Sequence, residues 1–201
     1  IASGGVIFGS GAGKVSVLIA DKGVLAWDAA IAVPKGATDL SRMVDVDATP
    51  IVVDGTIYAI AFNGELVALE LRTGRVMWKR EYASFRDMAI EDNVLYVVDS
   101  VGKMYAIDAR SGLESWAQLV LHRHFVTAPT VYKKYIVVGD AEGNLHWFDK
   151  SSGEYLARHA VEDPRHGCEK RVSRPRQCRA KLSSLYPHRQ SECPHLGCPG
   201  Q

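Results

Sequence analysis

Residues 51–80 read IVVDGTIYAIAFNGELVALELRTGRVMWKR. Short runs of Val, Ile, Leu and Ala are separated there by turn-forming groups: Asp54-Gly55, Asn63-Gly64 and Arg72-Thr73-Gly74. Apolar runs this short leave no room for a helix, whereas β-branched residues in alternation with small ones suit a pleated strand. Asn-Gly accepts positive φ at both positions, so Asn63-Gly64 is expected to close a tight two-residue hairpin. The stretch predicts four consecutive antiparallel strands, at 51–53, 56–62, 65–71 and 75–80.

The same punctuation recurs along the chain. A turn-closing glycine is followed ten residues later by a second one at Gly13/Gly23, Gly64/Gly74, Gly102/Gly112 and Gly143/Gly153, and the second glycines are 51, 38 and 41 residues apart. A period near forty residues with alternating apolar positions is the signature of a radially repeated β-architecture. The expected fold is all-β: a partial β-propeller of about four four-stranded antiparallel blades, half of an eight-bladed ring. The blades fall at about 5–36, 48–82, 87–120 and 127–162, the first without its opening strand, and a tail outside the propeller follows. A set of blades that does not close exposes an apolar face at each end and is expected to self-associate. Sedimentation showing a monomer that melts in two states would contradict this.

Two repeats fit Ala-x-(Asp/Glu)-x-x-(Thr/Ser)-Gly-x-x-x-Trp in full: Ala68, Glu70, Thr73, Gly74 and Trp78, then Ala106, Asp108, Ser111, Gly112 and Trp116. The first repeat keeps Gly23 and Trp27 but has Ile19 at the acidic position; the fourth keeps Asp149, Ser152 and Gly153 and has Ala157 where Trp is expected. The acid and hydroxyl can bond turn amides, the glycine can take the left-handed conformation, and the indole can cover the next blade. The pattern predicts a structural role and no catalytic residue.

Composition divides the chain at about residue 163. A hydrophobic content of 47% suits a globular protein. Residues 164–201 hold eight Lys/Arg against two Asp/Glu, all four cysteines and five of the eight prolines, so this segment is +6 and the remainder −5. The repeats contain no cysteine and need no disulfide. Next in the period, near 184 and 194, stand Ser184 and Pro194 rather than glycines. The basic, Cys/Pro-rich segment therefore reads as a disordered tail or as translation in another frame, and its abrupt onset within a repeat favours the second. The sequence opens mid-pattern at Ile1, as expected of a piece of a longer protein whose export signal would lie upstream.

The repeats resemble the pyrroloquinoline-quinone-type propeller family and, more narrowly, the BamB family of lipoproteins from the outer-membrane β-barrel assembly machinery. The residues that carry the likeness are 38–50 (TDLSRMVDVDATP), Asn63-Gly64, 74–80 (GRVMWKR), Leu121-His122-Arg123 and 138–147 (VGDAEGNLHW). The resemblance spans about residues 4–162. It implies an eight-bladed, non-enzymatic scaffold without cofactor, held at the periplasmic face of the outer membrane by an upstream lipid anchor. It implies binding to the central assembly protein BamA, and contact with nascent outer-membrane β-barrel chains. It also places Asp45 and Asp47 on the docking surface, with Arg42 a neighbouring candidate. The residues alone allow another reading of 44–47. Val-Asp-Val-Asp alternates, which puts both carboxylates on one face of a solvated strand edge, with Asp47 capping the turn at Ala48-Thr49-Pro50.

Other motifs lead to weaker readings. Residues 9–14 (GSGAGK) look like a phosphate loop, but Val15 stands where a hydroxyl should bind magnesium, and a strand follows where a helix must begin. His122 and His124 stand two apart on what reads as one strand face, without a third metal ligand. The tail cysteine spacings suit no zinc site, and its basic run lacks the aromatic interleaving of specific nucleic-acid binding. Two alternatives share the repeat: a quinone-dependent dehydrogenase, which would need a calcium site and cofactor-stacking residues, and a ligand-sensing receptor ectodomain.

Overall fold

Asp54 and Gly55 both take left-handed backbone, with φ of 49° and 75°, so the first turn of the 51–80 stretch reverses the chain within two residues. Asp92 and Asn93 do the same one repeat later, at 51° and 64°. The computed structural model describes residues 4–32, 44–62 and 64–161. Within them fifteen strands form four antiparallel sheets, and no helix is present among the described residues. The first sheet has β1 (Gly5–Ser10), β2 (Lys14–Ile19) and β3 (Val24–Ala30) in that order. The second has β4 (Ile51–Val53), β5 (Thr56–Ile60), β6 (Leu66–Glu70) and β7 (Val76–Arg80). The third has β8 (Ala89–Glu91), β9 (Val94–Val98), β10 (Met104–Asp108) and β11 (Glu114–Gln118). The fourth has β12 (Thr130–Tyr132), β13 (Tyr135–Gly139), β14 (Asn144–Asp149) and β15 (Tyr155–Ala160). Every neighbour in a sheet is also a neighbour in sequence, as in the meandering blades of a propeller. Residues 164–201, Arg42 and Asn63 lie outside the described residues.

Strand alternation explains how the blades stack. On β5, Ile57 and Ala59 join Val15 and Val17 of the first blade, while Tyr58 and Ile60 join Leu95, Val97 and Ile107 of the third. On β9 the division repeats: Tyr96 and Val98 pack with Ile136, Val138 and Phe148 of the fourth blade. A central blade is thus buried on both faces, and its inner strands β5, β6 and β9 are near-continuous apolar runs, buried at four successive positions. The structure is that of a partial β-propeller.

One turn differs from its expectation. Gly64 does not have positive φ. The Gly64 amide bonds the Ala61 carbonyl at 3.3 Å, and the Ala61 amide bonds the Glu65 carbonyl at 3.3 Å, so pairing ends at Ala61 and Glu65 rather than at Phe62 and Glu65. Glycine is needed there for space: a Cβ would lie 2.7 Å from that of Ala61 and 3.0 Å from that of Ala32.

Each blade also has a bulge that the sequence pattern does not announce. Between the last two strands of each sheet the register skips one residue, at Ala26, Met77, Ser115 and Leu156. The extra residue bends the last strand and re-aims the position after it, which is Trp27, Trp78, Trp116 and Ala157. Across the second and third blades the aligned row reads Tyr58, Ala68, Trp78 and Tyr96, Ala106, Trp116. In the fourth it reads Val137, Trp147, Ala157. The indole absent at Ala157 therefore reappears one strand inward on the same face.

Candidate functional site on the connector face

The repeat motif residues lie one set per blade and converge on no common point. Trp27 donates its indole N–H to the Leu71 carbonyl at 3.0 Å, Trp78 to Ala109 at 2.9 Å and Trp116 to Lys150 at 3.3 Å, each on the next blade. The rings cover Gly74, Gly112 and Gly153, where a Cβ would come within 2.5–2.7 Å of the indole. Gly23 has the same left-handed backbone, φ 63°, and no atom within 4 Å of a Cβ. The Thr73 hydroxyl donates to Glu70 at 2.6 Å, and the Ser111 hydroxyl and amide both donate to Asp108 at 2.7 Å. In the fourth blade Asp149 accepts from the amides of Ser151 and Ser152. Hydrogen bonds from Thr73, Ser111 and Ser151 hold the Glu70, Asp108 and Asp149 carboxyls below their usual values. These groups hold their turns.

Asp45 and Asp47 belong to the connector that enters the second blade. Val44 and Val46 point inward, at 3% and 5% exposure, so alternation turns Asp45 and Asp47 outward, the first half-buried and the second exposed. The peptide group between Asp45 and Val46 is held from both sides. The Val46 amide bonds the Ser10 carbonyl at 3.3 Å, and the Phe62 amide bonds the Asp45 carbonyl at 2.7 Å. The Asp45 carboxylate lies over the β1–β2 turn, within 3.7 Å of where a Gly11 Cβ would stand. The Thr49 amide bonds the Asp87 carboxylate at 2.6 Å, so the cap of the following turn comes from the next connector rather than from Asp47.

Backbone bonds define equivalent positions in the other connectors. The Ser100 amide bonds the Ala83 carbonyl at 3.1 Å and the Ala141 amide bonds the Phe125 carbonyl at 3.0 Å, as Phe62 does with Asp45. Asp45, Ala83 and Phe125 are therefore equivalent. So are the inward residues Val46, Ser84 and Val126, all buried, and the next outward residues Asp47, Phe85 and Thr127. Arg86 ties the connectors at 83–87 and 125–127 together. It is 8% exposed, donates Nε to the Val126 carbonyl and Nη1 to the Asp99 carbonyl at 2.8 Å, and lies 4.4 Å from the Phe85 ring centre. Burial lowers the Arg86 pKa, and Asp99 opposes the shift. His122 and His124 fall in a turn around Arg123, whose φ is 68°, and not on a strand as expected.

A buried polar network supports the fourth connector. Asp140, whose side chain is 3% exposed, accepts from the amides of Glu142 and Asn144 at 2.9 and 2.8 Å and from the Asn144 side chain at 2.9 Å. Its other neighbour is His146 Nε2, at 2.8 Å, and His146 Nδ1 faces the Tyr155 hydroxyl at 3.3 Å. Burial alone would raise the Asp140 carboxyl, but the bonds from Asn144, His146 and Glu142 hold it well below the usual carboxylate range. Arg86, Phe85 and Phe125 carry no motif in the linear sequence, and only the blade-to-blade offset of backbone bonds aligns them; Asp140, Asn144 and His146 lie in 138–147, which the sequence marks by family likeness and not as a network.

The family described as outer membrane protein assembly factor BamB matches residues 1–118. The chain belongs to the BamB family. BamB of Shewanella oneidensis is 42% identical over 160 residues, which are 80% of this chain and 40% of that one. BamB of Vibrio cholerae is 45% identical over 161 residues, 80% and 42% of the two chains, and BamB of Escherichia coli K12 is 38% identical over 161 residues, 80% and 41%. The chain thus spans about two fifths of the length of these curated relatives. The crystal structure of BamB from Moraxella catarrhalis superposes with a TM-score of 0.75 at 25% identity, covering 81% of this chain and 49% of that one. A europium-containing methanol dehydrogenase superposes at 0.63 with 13% identity over 81% and 41% of the two chains, which is a likeness of fold alone.

Proposed function

We propose that this BamB-family chain is part of a non-enzymatic scaffold of outer-membrane β-barrel assembly that docks on BamA through Asp45 and Asp47. The observation that carries the reading is the pinned connector: Val44 and Val46 are locked inward, so two carboxylates are held outward on a segment bonded to both flanking blades. A fixed pair of this kind loses little entropy on meeting a cationic partner. The parent would stand at the periplasmic face of the outer membrane, anchored by lipid upstream. Nascent β-barrel chains are further candidate ligands. The bulge in every blade's last strand shortens the straight edge available for strand pairing, so main-chain pairing would be limited to either side of it.

The double substitution Asp45→Arg with Asp47→Arg is expected to weaken binding to purified BamA, most strongly at low salt, with the melting temperature almost unchanged. Rim charges act chiefly on the association rate, whereas loss of a buried charge pair costs roughly 2–5 kcal/mol. Biosensor titration at two salt concentrations distinguishes the cases, and unaltered binding would count against docking at these carboxylates.

A further inference from the structure

We infer that the docking surface continues past the two carboxylates along the connectors to Phe85 and Phe125, so that the partner presents cations to Asp45 and Asp47 and aliphatic side chains to the two rings. The inference rests on docking at Asp45 and Asp47 and extends it. Three observations carry it. The first is equivalence: backbone bonds place Phe125 where Asp45 stands, and they place the residue two after Ala83, which is Phe85, where Asp47 stands. The second is exposure. Phe125 is 77% exposed and Phe85 43%, although each neighbours a residue buried to more than nine tenths, Val126 and Arg86.

The third observation is continuity and rigidity. The Phe62 amide bonds the Asp45 carbonyl, and the Phe62 ring meets Phe85 edge-on at 6.3 Å between centres. From Phe85 the path runs through Arg86, beneath its ring, to the Val126 carbonyl beside Phe125. Ser84 fixes the middle connector further by donating its hydroxyl to the Val98 carbonyl at 2.7 Å and accepting from the Arg86 amide at 3.0 Å. Aromatic rings held out of a pinned backbone lose little freedom on binding and are the kind of residue on which interface energy concentrates. Carboxylates in the same row disfavour an anionic lipid surface and favour a protein segment carrying Lys or Arg beside Leu, Ile or Val.

The test uses the whole 201-residue chain and purified BamA. A benzophenone amino acid is placed in turn at Asp47, Phe85 and Phe125, and adducts are mapped after irradiation. Adducts from all three positions are expected. An adduct from Asp47 alone would overturn the extension and leave docking at the carboxylates standing; adducts from none would overturn both. In titrations, Phe85→Ser with Phe125→Ser is expected to weaken binding about tenfold or more, with the same salt dependence as the unaltered chain and an unchanged far-ultraviolet circular dichroism spectrum at the temperature of the titration. Asp45→Arg with Asp47→Arg should instead flatten the salt dependence. Serine variants that bind as tightly as the unaltered chain would overturn the inference.

Discussion

Replacing Trp78 with alanine is expected to destabilise the chain by about 3–5 kcal/mol, the range for truncating a large buried aromatic. Three effects act together. The ring packs with Tyr58, Leu95, Val97 and Ile107 in the core between the second and third blades, so its loss opens a cavity between two sheets rather than within one. The Ala109 carbonyl loses its indole donor. Gly112, whose α-carbon lies under the ring, is left facing empty space. Trp78→Phe keeps most of the packing and removes the N–H, which should cost about 1 kcal/mol beyond the volume change. The glycine side gives an internal control. Gly112→Ala and Gly23→Ala impose the same strain on left-handed backbone, with φ of 67° and 63°. Only at Gly112 does the new methyl collide with an indole, at 2.7 Å. Gly23→Ala should therefore cost about 1 kcal/mol and Gly112→Ala distinctly more. Urea unfolding followed by far-ultraviolet circular dichroism checks all four; equal losses at the two glycines would show that the indole contact contributes nothing.

The strands and turns were readable because blade stability is written locally. Asp54-Gly55 must turn, and the flanking Val and Ile residues must pleat. The Gly-x-x-x-Trp spacing was readable as a motif but its geometry was not. The bulge that puts the indole on the next blade depends on a register between two strands, and neither strand encodes that register alone. The displacement of the fourth indole shows the same limit. Ala157 reads as a loss until β14 is paired with β15, when Trp147 is found opposite it. The Asn-Gly pattern points to a conformational role for Gly64, whereas its role is steric: Ala61 crowds it from within the turn and Ala32 from far away in sequence. At the candidate site, alternation in 44–47 predicted that both carboxylates share a face, which the burial of Val44 and Val46 explains. The aromatic positions were hidden because the connectors differ in length and composition. Their equivalence appears only through which carbonyl each turn amide finds.

Removing the Asp140 carboxylate should have a large effect, with Asp140→Ala costing about 3 kcal/mol or more. The group is almost wholly enclosed, and its loss would leave the amides of Glu142 and Asn144, the Asn144 side chain and His146 Nε2 without their acceptor. Asp140→Asn should be milder. Its carbonyl oxygen can still accept from the two backbone amides, while its NH₂ group faces Asn144 and His146. His146 can adjust by moving its proton to Nδ1 and letting Nε2 accept, with the Tyr155 hydroxyl as acceptor on the other side. The pH dependence separates charge from shape. Because the folded carboxyl titrates below its ordinary value of 3.8, its ionised form stabilises the fold at every pH above that value. That contribution falls away as the pH drops from about 5 through the depressed folded value. The unaltered chain should therefore lose stability more steeply than Asp140→Asn below pH 5, and the two curves should approach one another in strong acid. Above pH 6 their separation should be constant. Denaturant melts from pH 7 to pH 3 measure this directly, and parallel curves across that range would mean that the buried network is held by its geometry and not by the charge.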